Sequence, residues 1–93
     1  MRFGVRPAEV PAVEKAIIAF VAQAADEPGT LRYESFREPD GVSYVHLMIF
    51  ADDEAEARHA STAHMETFLA DLLPRCEVEP AFTNLRKVAG AGR

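Results

Sequence analysis

Tryptophan is missing from this chain, and cysteine occurs only once. Cys76 therefore has no partner for an internal disulfide, and no CxxC pair exists to build a metal or redox site. Long apolar stretches are missing too. The longest, Ala16 to Ala22, falls far short of the ~18–20 residues that cross a bilayer, and no charged-then-apolar leader opens the sequence. The chain is expected to be soluble and cytoplasmic, with no membrane partner. Basic charge is in deficit: 10 Lys+Arg stand against 15 Asp+Glu, for a formal net charge of −5. Proteins that neutralise phosphates show the opposite balance, so nucleic acid is not an expected partner. Gly-rich phosphate loops and the GxSxG and HExxH patterns do not occur, which weighs against nucleotide chemistry and hydrolase triads. What is there is 93 residues of ordinary globular make-up, 48% apolar and 27% charged. That is enough for one domain, expected over residues 1–89 with a flexible tail over 90–93, and its thin core leaves room for stabilisation by association.

Hydropathy periods predict the elements. Residues 1–6 carry Phe3 and Val5 on one face of a short strand that Pro7 closes. From Glu9 to Ala25 the residues Val10, Val13, Ile17, Phe20, Val21 and Ala24 form a helical stripe, and Glu27-Pro28-Gly29 ends it. Thr30–Arg37 and Val42–Phe50 read as a hairpin around Glu38-Pro39-Asp40-Gly41. Asp52 or Asp53 can cap a short helix, with Glu56 completing a capping box, and Ser61 can cap a second piece striped by Met65, Phe68, Leu69, Leu72 and Leu73. A last strand is expected over about Cys76–Val88, with a bulge. The order βαββαβ describes an α+β, ferredoxin-like fold: a four-stranded antiparallel sheet with helices on one face. On the third strand both Tyr44, His46, Met48, Phe50 and the alternate Val45, Leu47, Ile49 are largely apolar, so both sheet faces need cover. The helices can supply one face; a second copy packed sheet to sheet across a two-fold axis supplies the other, which predicts a homodimer.

His46, His59 and His64 are the only side chains whose ordinary pKa lies near neutrality, so they are the candidates for proton transfer. On one continuous helix His59 and His64 would lie about 140° apart. A break at Ser61 can bring them together, but no metal site is expected. His64 opens a helix beside the apolar stripe, where the N-terminal dipole favours a neutral, proton-accepting imidazole. Phe3, Tyr33, His46, Phe50 and Phe68 are the candidates for lining a slot for a flat ligand; core filling is the alternative role for the same rings.

The segments Glu27-Pro28-Gly29-Thr30-Leu31-Arg32-Tyr33-Glu34, Tyr44–Asp52 and Arg58–Phe68, with His59, Ser61, His64 and Phe68, resemble the antibiotic biosynthesis monooxygenase family. The resemblance implies a dimeric α+β barrel. It also implies oxygenation of a small quinol- or anthrone-like aromatic by O₂ without metal, flavin or other cofactor: a base deprotonates the substrate, whose anion reduces O₂. His64 is the expected base and His59 its neighbour. Met48 and Phe50 stand where many relatives carry Glu and Trp, and the lack of tryptophan argues against the haem-degrading branch. The same site without turnover would make a small-molecule-binding barrel, and the same histidine without O₂ would suit a proton-transfer isomerase on a keto compound.

Overall fold

Proline and glycine punctuate this chain, and apolar period sets what lies between. The computed structural model describes residues 1–92. Strand β1 (Arg2–Val5) stops before Pro7, which opens a single 3₁₀ turn, Pro7–Glu9, leading into α1 (Val10–Ala24). Helix α1 buries Val13, Ile17, Phe20 and Ala24, with Val10 and Val21 half-buried beside them, so the predicted stripe is the packed face. Strands β2 (Thr30–Arg37) and β3 (Ser43–Phe50) form the hairpin. Its turn is held by Asp40, whose Oδ1 accepts from the Val42 and Ser43 amides, and by Gly41, whose φ of 80° suits a residue without Cβ.

Helices α2 (Asp53–Ala60) and α3 (Ala63–Leu72) follow, then a 3₁₀ turn, Leu73–Arg75, and β4 (Cys76–Ala81). The sheet order is β2-β3-β1-β4 and every pairing is antiparallel. This is the expected α+β, ferredoxin-like sheet. Phe3, Val5, Tyr44 and His46 lie on its covered face with Phe20, Met65, Phe68 and Leu72 from the helices. The opposite face leaves Phe36, Leu47, Ile49 and Val78 about half exposed. No helix among the described residues is long and apolar enough to cross a membrane.

Three local expectations are corrected. Of the two expected caps of α2, Asp52 is the one used, its Oδ1 accepting from the Ala55 amide at 2.7 Å, and the capping box expected with Glu56 is not formed, because Glu56 stands four residues after that cap. Thr62, not Ser61, caps α3, accepting from the Met65 amide at 3.2 Å. Ser61 is instead the C-cap of α2, its amide donating to the Ala57 and Arg58 carbonyls; Thr62 is the first residue with extended backbone. Finally, β4 ends at Ala81 rather than near Val88. Among the described residues its only neighbour is β1, whose four residues run out at the Arg2–Ala81 pair. The phase slip after Phe82 that suggested a bulge lies beyond the strand; register shifts occur instead around Gly4, opposite Val78. Beyond Ala81 the described chain has no regular structure, and Phe82, Leu85 and Val88 are exposed. Of the tail expected over 90–93, Arg93 lies outside the described residues.

Candidate functional site

The break between α2 and α3 decides the geometry around the histidines. His59 is the next-to-last residue of α2 and His64 the second of α3, on either side of the two-residue step at Ser61-Thr62. Thr62 holds that step at both ends, its hydroxyl donating to the His59 carbonyl at 2.9 Å while accepting from Met65. The two imidazoles consequently converge on one carboxylate, Glu27, in the turn that leaves α1. Nδ1 of His59 lies 2.9 and 3.1 Å from the two Glu27 oxygens, and Nε2 of His64 lies 2.6 Å from Oε2. Thr30 donates its hydroxyl to Oε1 at 3.0 Å.

The turn bearing Glu27 is fixed by close approach. Gly29 packs so tightly on α2 that an added Cβ would fall 2.3 Å from the Ala55 Cβ, and its carbonyl accepts the Ala51 amide at 2.8 Å. Glycine is needed here for space. Burial by itself would raise the Glu27 carboxyl, but the hydrogen bonds from His64, His59 and Thr30 outweigh it and hold the pKa below the ordinary value. An ionised carboxylate accepts only, so both imidazole nitrogens facing it carry hydrogen. In the neutral form of each ring the lone pair then lies on Nε2 of His59 and on Nδ1 of His64. His59 is only 3% exposed, and its Nε2 has no hydrogen-bond partner among the described residues. Phe20, Tyr33 and Phe50 surround that ring at centroid distances of 5.7, 5.6 and 5.1 Å. His64 is less enclosed, at 18% exposure of its side chain.

A tyrosine–histidine pair lies beside this cluster. The Tyr33 hydroxyl and Nδ1 of His46 are 2.8 Å apart. With the hydroxyl donating, only Nε2–H of His46 is left unpartnered; the reverse arrangement would orphan two groups, so it is disfavoured. Burial, with the amino group of Met1 adding to it, lowers the His46 pKa to about 4. Burial, reinforced by the Glu27 charge, pushes the Tyr33 phenol well above the ordinary tyrosine range. This pair is neutral at physiological pH.

Of the residues predicted for the site, His59 and His64 come together, and Tyr33, Phe50 and Phe68 join the aromatic cage around them. Phe68 stacks on Phe20 at 4.6 Å, and His46 lies 6.1 Å from Phe68. Phe3 is fully buried against Tyr44 and His46 and lines neither of the two openings to this region. Two openings reach this region. A groove of about 790 Å³ between α1 and α3 is walled by Phe20, His64, Phe68 and the small Ala16, Ala19 and Ala63. A cleft of about 550 Å³ between α1 and β2 contains Tyr33 but no histidine, and ends at Glu14, which accepts from Tyr44 and Arg37. Sequence reasoning missed Glu27 altogether, treating Glu27-Pro28-Gly29 as a helix stop. The available signal was chemical: two histidines flanking a helix break need an acceptor.

Comparison with known proteins agrees with this fold. Residues 1–71 match the sequence model of the family described as antibiotic biosynthesis monooxygenase. Among solved structures, Rv0793 from Mycobacterium tuberculosis superposes with a TM-score of 0.83 at 20% identity, over 95% of this chain and 93% of that one. A Caulobacter crescentus protein, itself a candidate antibiotic biosynthesis monooxygenase, gives 0.78 at 28% identity over 86% and 77%. A structure named antibiotic biosynthesis monooxygenase gives 0.80 at 18% identity over 84% and 83%. A search of curated proteins finds no significant match.

Proposed function

As this chain belongs to the antibiotic biosynthesis monooxygenase family, we propose that it is a cofactor-independent monooxygenase acting with O₂ on a small, flat aromatic of quinol or anthrone type. The observation that carries the reading is the Glu27 carboxylate held between His59 and His64. A carboxylate that fixes one imidazole nitrogen as a donor leaves the other as a proton acceptor of defined direction, the arrangement general-base chemistry needs. His64 stands at the wall of the α1–α3 groove, whose apolar floor is formed by the nearly buried, mutually stacked Phe20 and Phe68. His59 lies behind it and shares the same carboxylate, so a proton gained by either imidazole is stabilised by Glu27.

In the proposed reaction His64 takes a proton from the substrate hydroxyl or its activated carbon. The substrate anion gives one electron to O₂, and the substrate radical and superoxide combine to form a C–O bond. Return of the proton and cleavage of the O–O bond release water and leave the quinone, so one O₂ is consumed per substrate. The aromatic cage keeps bulk water from the anion.

The same reading includes a second copy of the chain. Phe36, Leu47, Ile49 and Val78 form an apolar band on the face of the sheet opposite the helices, and a partner sheet packed on it would complete the barrel. A non-catalytic binding barrel is the second reading, favoured by the near-complete burial of His59. The test is O₂ uptake with optical detection of quinone across hydroquinones, naphthols and anthrones in chelator-treated buffer, comparing wild type with His64→Ala. Turnover that falls at least about a hundredfold in the variant supports the base role. Binding without O₂ uptake supports the second reading, and turnover of a keto compound without O₂ would make the protein an isomerase.

A further inference from the structure

Glu27, His59 and His64 together offer more than a proton site. One carboxylate oxygen and one nitrogen from each imidazole lie within 4.8 Å of one another. They are at present joined by hydrogen bonds of 2.6 to 3.1 Å. Ligands at about 2.0–2.2 Å from a tetrahedral centre are roughly 3.3–3.6 Å apart. Transfer of each imidazole hydrogen to its other nitrogen, with side-chain movements of up to about 1 Å that open the His64–Glu27 contact and draw the three ligand atoms to that spacing, would therefore convert the cluster into a three-ligand cation site.

We propose that Glu27, His59 and His64 bind one divalent transition cation of the zinc type. Two imidazoles and a carboxylate suit zinc and its first-row neighbours better than calcium or magnesium, which prefer all-oxygen sites. The three ligands come from separately anchored pieces of backbone: the Gly29-tightened turn, the end of α2 and the capped start of α3. Among the described residues the carboxylate has no Arg or Lys hydrogen-bond partner; His59, His64 and Thr30 occupy it. The Thr30 hydroxyl would remain on the carboxylate as an outer support, as liganding carboxylates commonly have. Glu27 and His64 keep some exposure, 14% and 18% of their side chains, which leaves a side open for the cation and a water.

Coordination also changes the proton map. A cation on Nδ1 of His59 and Nε2 of His64 moves each imidazole hydrogen to the opposite nitrogen. On His59 that hydrogen then lies among the Phe20, Tyr33 and Phe50 rings, whose faces accept weakly. The lone pairs available for base chemistry disappear, so cation binding and proton abstraction exclude one another. This inhibitory consequence rests on the proposed function; the binding itself does not.

The test is titration of chelator-stripped protein with Co(II) near neutral pH, read by its visible d–d absorption, followed by displacement with Zn(II). No substrate is involved, so failure here is separable from failure of the oxygenase reading. One Co(II) per chain is expected, with bands that Zn(II) abolishes. Glu27→Gln and His64→Ala should each weaken binding by more than the ten- to hundredfold typical of outer-shell partners. His64 is at the edge of the core, so its alanine variant should fold, as circular dichroism would verify. Glu66→Gln, beside His64 on the groove wall, should leave binding unchanged. Absence of Co(II) bands, or bands that survive His64→Ala, would overturn the proposal, as would equal weakening by Glu66→Gln.

Discussion

The buried residue with the clearest electrostatic consequence is His46. Its folded-state pKa of about 4 lies below the ordinary 6.5, because burial disfavours the imidazolium and the Met1 amino group adds repulsion. The unfolded chain therefore binds more protons than the folded one between these two values. The resulting stability is complete above pH 6.5 and is lost as pH falls towards 4, a decline of about 3 kcal/mol by linkage. Glu27, whose pKa is depressed, adds a further loss below its ordinary carboxylate value. Urea unfolding across this range should show the slope, and His46→Gln should flatten its upper part. A wild-type stability independent of pH between 6.5 and 4 would contradict the neutral, buried assignment. His46 was legible as an interior or ligand-facing residue from its place in an apolar strand. Its bond to Tyr33 was not, because a 13-residue separation across a hairpin depends on register, and register was not determined from the sequence.

Secondary elements were legible wherever a period and a punctuation mark agreed. The stripe of α1, the Asp40-Gly41 turn and the break near Ser61 each combine an apolar spacing with a residue that stops or caps it. Where only pattern was available, the limits drifted. Val78, Phe82, Leu85 and Val88 suggest a long strand, yet strand length is set by the partner, and β1 is short. The turn that carries Glu27 was hidden for a different reason. Its function lies in what it touches 32 and 37 residues further along, and no local period reports such a contact. That turn depends on Gly29. Gly29→Ala would push against Ala55 at 2.3 Å and lift the turn from α2. Overpacking of this kind costs about 1–3 kcal/mol. Denaturant unfolding should show that loss together with a fall in activity, whereas a Gly29→Ala protein of unchanged stability would show that the close approach is dispensable.

At the scale of the whole molecule, the fold leaves one sheet face covered and the other apolar. That division was legible from β3 alone, since Tyr44 and His46 alternate with Leu47 and Ile49 and neither set is polar. A second copy on the open face predicts a mass by light scattering of twice the 10.2 kDa of one chain. Leu47→Lys, placing charge at the centre of the band, should reduce the mass to that of a single chain while leaving the circular dichroism intact. A wild-type protein of single-chain mass at micromolar concentration would contradict the proposal. The covered side organises the chemistry: turn, helix end and helix start meet at Glu27, and the proposed base and the proposed cation site both follow from that meeting. The most direct test is long-range ¹H–¹⁵N correlation of the histidine side chains in metal-free wild-type and Glu27→Gln protein, which reports which ring nitrogen carries hydrogen. Hydrogen on Nδ1 of His59 and on Nε2 of His64, with the His59 assignment lost in Glu27→Gln, is the predicted result. Hydrogen on Nε2 of His59 in the wild type, or spectra of both histidines indifferent to Glu27→Gln, would contradict it.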